Sequence, residues 1–149
     1  MNQELDELLG LLIENERQVG RYYRTMVDLI PEHKATWESL SSQEEDHAAA
    51  LEEIRQAAKE NPRLYAPGKY APAAVLMTIR ETGEMIGKIE RREVHPRYAV
   101  TFVTDIENSM LESQMEQAVK TDVAEVRNTL NRLREQTKGP RDLLRSITV

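Results

Sequence analysis

Cysteine is absent from the 149 residues, which excludes disulfide bridges, thiolate metal sites, iron–sulfur clusters and a rubredoxin-type Cys-x-x-Cys electron-transfer module. Its absence is compatible with a reducing cytosol, and a cytoplasmic location is expected. Aromatic residues are scarce, at 5% of the chain, and together with richness in Ala, Leu, Glu and Arg this favours helices. No apolar run approaches the ~18 residues of a membrane span. The N-terminus, MNQELDELLG, lacks the basic region of a signal peptide. A soluble chain with no membrane partner is therefore expected. Positive charge is outnumbered, with 20 Lys and Arg against 26 Asp and Glu for a net charge of −6. That balance argues against a nucleic-acid partner, because phosphate neutralisation needs a basic face. The length suits one domain, residues 1–149, able to bury about two-thirds of its unfolded surface without covalent staples.

What is present centres on Trp37 to Ile54, WESLSSQEEDHAAALEEI. At helical spacing its inward positions read Trp37, Leu40, Glu44, His47, Leu51 and Ile54, with gaps of three and four throughout. Glu44 and His47 thus interrupt an apolar stripe and point toward the core, while Glu45 and Asp46 fall outside it. A buried carboxylate without a counter-charge costs several kcal/mol or loses its charge, and a metal ion is a common counter-charge inside a helical bundle. Carboxylate oxygen and imidazole nitrogen three residues apart share one helix face and suit iron, manganese or zinc. The alternative is a structural Glu–His pair satisfied by neighbouring side chains.

Around this stretch the pattern predicts five helices. The first runs from about Gln3 to Ile30, with Leu5, Leu9, Leu12, Glu16, Val19, Tyr23, Met26 and Ile30 on one stripe and Glu14 about 200° away. Pro31 ends it, and His33 is expected in an exposed turn. The second continues to Lys59 or Glu60 and stops at Asn61-Pro62. Residues 62–71 read as a loop with a turn at Pro67-Gly68. A third helix is expected from Pro72 to about Val94, packing through Val75, Leu76, Ile79, Met85, Ile86 and Ile89, with KIERREVHPR as a solvated corner. The fourth, opened by Pro96, should run from about Arg97 to Lys120, with Val100, Val103, Glu107, Met110, Gln114 and Ala118 inward. Met110 and Met115 are expected in the core. Thr121-Asp122 is the expected N-cap of a fifth helix with the stripe Val126, Leu130 and Leu133, ending near Gly139-Pro140 before a short helical turn in the tail.

A shift of 93 residues lays 13–54 over 106–147 without a gap and gives nine identities in 42 pairs. Ile13-Glu14-Asn15 falls on Ile106-Glu107-Asn108, Leu40 on Leu133, Gln43 on Gln136, Leu51 on Leu144 and Ile54 on Ile147. Trp37 over Leu130 and Ile30 over Val123 preserve apolar character. Two helix pairs joined through the third helix would form an all-α four-helix bundle with a long crossover connection.

This layout, with Glu16, Glu44-x-x-His47 and Glu107 on inward stripes, resembles the ferritin-like superfamily, and within it the rubrerythrin-like diiron carboxylate branch. The resemblance spans nearly the whole chain but rests on short motifs. It implies two irons held by a glutamate of the first helix, Glu-x-x-His of the second, a glutamate of the third bundle helix and a second Glu-x-x-His in the fourth. The matching metal ligands are Glu16, Glu44, His47 and Glu107. The repeat aligns Glu14 with Glu107, whereas helix phase favours Glu16 as the first ligand. The second Glu-x-x-His is missing, with Thr137 on Glu44 and Pro140 on His47, and Glu135 lies off its stripe. At most about one ion per chain is therefore expected, on the His47 side. Tyr22 and Tyr23 read as amphipathic core-edge residues that are also placed to hydrogen-bond a ligand carboxylate.

Two functions follow. One is an iron-binding ferritin-like protein with ferroxidase or peroxide-reducing activity, supplied by an electron donor that the sequence does not specify. The other is a non-catalytic helical bundle serving binding or homo-oligomerisation, with one ion or none.

Overall fold

The computed structural model describes residues 2–109, 117–136 and 138–147. The expectations for Met110, Gln114, Met115 and Thr137 lie outside the described residues. The chain is dominated by helices: α1 Gln3–Leu29, α2 Lys34–Glu60, α3 Pro72–Glu90, α4 Pro96–Asn108, α5 Ala124–Gln136 and α6 Lys138–Arg145. Two short strands, β1 Tyr65–Pro67 and β2 Val119–Thr121, pair antiparallel with Ala66 opposite Lys120. No helix among the described residues is long and apolar enough to cross a membrane.

α1 is nucleated by Asn2, whose side chain accepts a hydrogen bond from the Leu5 N–H at 3.2 Å, with Glu4 and Asp6 favourably placed in the positive first turn. Pro31 opens a single 3₁₀ turn, Pro31–His33, that reverses the chain into α2. The Trp37 indole N–H donates to the Ile30 carbonyl at 3.1 Å and closes that corner from inside. The hairpin is antiparallel and closely packed. Arg55 reaches Asp6 at 2.7 Å near its open end, and Ser41 Oγ donates to the Gly20 carbonyl at 3.0 Å midway. A methyl group at Gly20 would stand 3.4 Å from Glu44 Cβ, an ordinary van der Waals contact, so the two helices pass close to one another at the level of Glu44.

The expected stripe of α1 is buried throughout, and so is a second row, Leu8, Asn15 and Tyr22, at heptad spacing. The second row exists because α3 and α4 pack against α1 as well as α2. Tyr22 stacks on Phe102 at 5.6 Å and donates to the Ala99 carbonyl of α4 at 2.6 Å.

Buried apolar residues form two clusters. One contains Leu5 to Ile13 of α1, the C-terminal half of α2, Val75 and Ile79, and the stripe of α5. The other contains Val19 to Met26 of α1, Trp37 and Leu40, Met85 to Ile89, Ala99 and Val103, and Leu144 of α6. Between them every buried polar side chain of the described residues is found: Asn15, Glu16, Ser41, Glu44, His47, Thr82 and Glu107. Each of α1 to α3 passes from one cluster to the other through one of these residues, so the core is two apolar blocks separated by a polar layer. Residues matched by the 93-residue shift sit in opposite blocks: Leu40 against Leu133, Trp37 against Leu130, Leu51 against Leu144. Gln43 and Gln136, also matched, touch one another at the boundary.

Several expected boundaries are corrected. α3 stops at Glu90 rather than Val94, because Arg92 turns the chain in the left-handed region at φ 58° and reaches back to the Asp28 carbonyl. α4 ends at Asn108 rather than continuing to Lys120. Ser109 is extended at ψ 158°, and Ala118, though buried, precedes a strand instead of ending a helix. The loop 62–71 contains a strand. A three-residue Tyr-Ala-Pro run carries no alternation long enough to read. The fifth helix begins at Ala124, with Thr121 Oγ1 accepting from the Val123 N–H just before it. Gly139-Pro140 does not end a helix. Pro140 is the third residue of α6, in the first turn, where its missing N–H needs no intrahelical partner.

Gly68 follows β1, and its N–H donates to the Ala118 carbonyl at 2.8 Å. A methyl group there would lie 1.6 Å from the Gln117 carbonyl oxygen, a backbone clash that no rotamer relieves. Gly68→Ala should destabilise the protein by about 2 kcal/mol or more through displaced β1–β2 pairing. Urea denaturation would show a lowered midpoint, and an unchanged midpoint would show that this strand pair is dispensable.

Candidate metal centre

Helix phase decides which carboxylate of α1 faces inward. Glu16 lies on the buried stripe and is 1% exposed, whereas Glu14 is an exposed residue. On α2, Glu44 and His47 are also 1% exposed, while Glu45 and Asp46 face solvent. The close crossing at Gly20 brings both sets together. His47 Nδ1 is 3.7 Å from Glu16 Oε2 and 3.8 Å from Glu44 Oε2. One donor atom from each of Glu16, Glu44 and His47 lies within 4.8 Å of the others.

Glu107, on the last turn of α4, is fully buried at the same layer. It is not one of the three converging residues. Tyr23 donates its hydroxyl to Glu107 Oε1, and Tyr23 in turn stacks on Trp37 with ring centres 6.2 Å apart. The other oxygen, Glu107 Oε2, is buried with no hydrogen-bond partner among the described residues. Arg141 Nε, from α6, donates to the Glu107 backbone carbonyl at 3.1 Å and ties the end of α4 to the tail. Tyr22, expected alongside Tyr23, donates to a backbone carbonyl, that of Ala99, rather than to a carboxylate, and burial pushes its phenol well above the usual range.

The electrostatics of the layer are one-sided. It contains three carboxylates and one imidazole, and no lysine or arginine is buried among the described residues. Desolvation, the largest influence on His47, pulls its pKa down. Hydrogen bonding and charge from Glu16, with smaller contributions from Gln136 and Glu107, outweigh it, so the imidazole sits above its usual value.

A divalent cation fits this donor set. Metal–oxygen and metal–nitrogen bonds of ~2.0–2.2 Å allow ligand atoms to be at most about 4.4 Å apart. The three donors therefore need to draw in by only a few tenths of an ångström. Carboxylate and imidazole without thiolate suit iron, manganese or zinc.

Gln136 is the residue that the sequence reading missed. Its side-chain Oε1 lies 3.2 Å from His47 Nε2, and its backbone carbonyl accepts from Gln43 Nε2 at 3.1 Å. Two signals pointed to it. It sits three residues beyond Leu133 on the α5 stripe, and the repeat matches it to Gln43. Glu135, its neighbour, faces solvent and pairs with Lys138 at 2.9 Å. Comparison with known proteins finds no matching family model, no matching curated protein and no matching solved structure.

The raised pKa of His47 has a definite linkage sign. In metal-free protein, the stabilisation from its charged form is fully present below the unfolded value of about 6.5 and is lost as pH rises through the raised folded value. The unfolding free energy of wild type minus that of His47→Gln, measured in urea across pH 5–9, should therefore shrink as pH rises. A difference that grows with pH would mean that the carboxylates do not hold the imidazole charged.

Proposed function

We propose that this chain is a ferritin-like metal-binding protein that holds one divalent ion, most consistently iron, with manganese or zinc as alternatives, and uses it in ferroxidase or peroxide-reducing chemistry. The observation that carries the reading is the convergence of Glu16, Glu44 and His47, fully buried, with donor atoms within 4.8 Å. Two further features support it. Three carboxyl groups buried beside one imidazole form a set of hard donors of the kind a divalent cation takes. Repeat mates lying in opposite apolar blocks, with Gln43 meeting Gln136 between them, are what a twofold axis through the polar layer would produce, as in a bundle built from two helix pairs.

In this reading Glu16, Glu44 and His47 hold the ion, and Glu107 completes the set. Tyr23 fixes the Glu107 carboxylate by its hydrogen bond. The two apolar blocks exclude water and any bulky organic substrate from a site whose ligands are about 1% exposed. A bound iron ion supplies one-electron exchange with oxygen or peroxide. A single inward imidazole supports one tightly held ion rather than a pair, because each metal of a paired site of this type has its own histidine.

The test is metal content and its dependence on His47. Protein purified without a histidine tag and without chelators should contain up to about one ion per chain by elemental analysis, and iron with a visible charge-transfer band favours redox chemistry. Colourless protein with little metal favours the alternative, a non-catalytic binding or oligomerisation module. His47→Ala should lower affinity for the ion about ten-fold or more without unfolding the domain, since the apolar stripe survives. If that variant loses several kcal/mol of stability in metal-free protein while metal content is unchanged, the histidine is a structural partner and the reading is wrong.

A further inference from the structure

We infer that Gln136 is a positioning residue for the metal centre, selecting the imidazole form in which His47 Nδ1 is free to bind a cation. The inference rests on the metal-binding reading and assigns a role outside the ligand set. His47 presents its two nitrogens to different surroundings. Nδ1 faces Glu16 and Glu44 at 3.7 and 3.8 Å, and Nε2 faces Gln136 Oε1 at 3.2 Å. A neutral imidazole carries one proton. An ion held between Nδ1 and the two carboxylates requires the Nδ1 lone pair, so the proton must sit on Nε2 and needs an acceptor there. Gln136 Oε1 is that acceptor.

The opposite tautomer, with the proton on Nδ1, would set the Nε2 lone pair against the lone pairs of Gln136 Oε1. Turning the amide over would instead offer a donor to Nε2, so the orientation of Gln136 matters, and Gln43 helps to hold the residue in place. Gln43 lies one turn before His47 on α2 and donates to the Gln136 backbone carbonyl at 3.1 Å. α5 thus contributes to the site through an outer hydrogen bond to the first half's histidine. Such partners orient the ring and raise its basicity as a ligand.

Gln136 is an exposed residue at the end of α5, so replacing its side chain should leave the fold intact. The experiment compares Zn(II) binding by wild type, Gln136→Leu, Gln136→Glu and His47→Ala, each first stripped of metal. Calorimetry gives the affinity, and nitrogen-15 NMR of the zinc-loaded protein shows which ring nitrogen carries the proton. Gln136→Leu should bind Zn(II) about ten-fold more weakly than wild type, with an unchanged urea midpoint in the metal-free state. Gln136→Glu, which keeps an acceptor oxygen, should bind at least as tightly as wild type. The wild-type spectrum should show a slowly exchanging Nε2–H and a zinc-shifted Nδ1. Wild-type affinity in Gln136→Leu, alongside lost affinity in His47→Ala, would overturn the positioning role and leave the metal site standing. An equal loss in Gln136→Glu and Gln136→Leu would also overturn it, because acceptor capacity would then be irrelevant. Wild-type protein that takes up no Zn(II) would overturn both readings together.

Discussion

Three carboxylates and one imidazole are buried between two apolar blocks, and no lysine or arginine among the described residues is buried with them. Burying polar and ionisable groups is costly unless they find partners in the interior. The rest of the structure is arranged around that constraint. The polar residues are gathered into one layer rather than scattered, so that desolvation is concentrated where a cation can offset it. Above and below the layer, the Trp37–Tyr23 stack and the leucines of α1 form continuous apolar packing.

α1 is the element on which both the core and the site depend. It is buried on two rows, because α2 lies on one side and α3 and α4 on another. It supplies Glu16 to the converging donors and Tyr23 to Glu107, and it takes up Ser41 of α2 through the Gly20 carbonyl, one turn from Glu44. A shift of one residue in its register would rotate Glu16 by about 100° away from α2. The cap at Asn2 and the hydrogen bond from Trp37 to Ile30 hold its two ends and so fix that register.

How much of this could be read in advance depends on how local its cause is. The stripes of α1 and α2 were legible because burial imposes a 3.6-residue period over many turns. The same phase separates buried Glu16 from exposed Glu14, although the repeat favoured Glu14. Where structure depends on partners distant in sequence, the reading failed. β1 and β2 are three residues each and exist through pairing across more than fifty residues, and α4 stops at Asn108 where the apolar pattern continues to Lys120. Gly139-Pro140 reads as the end of a helix, yet Pro140 occupies the opening turn of α6, where proline is tolerated. Gln136 was overlooked because an exposed glutamine at a helix end has no compositional mark. Only its distance to His47 gives it meaning.

The difference between the two halves of the chain is itself chemically informative. The first half is one unbroken hairpin of two 27-residue helices, long enough for both to cross the polar layer and continue into the opposite block. The second half is cut shorter. α4 ends one residue after Glu107, and α5 ends at Gln136, before the positions that match Glu44 and His47. Among the described residues, α4 brings one buried carboxylate to the layer, Glu107, which Tyr23 holds, and α5 brings one amide, Gln136, which meets His47. Among the described residues the converging donors come from a single hairpin, and the ends of α4 and α5 close the layer around them.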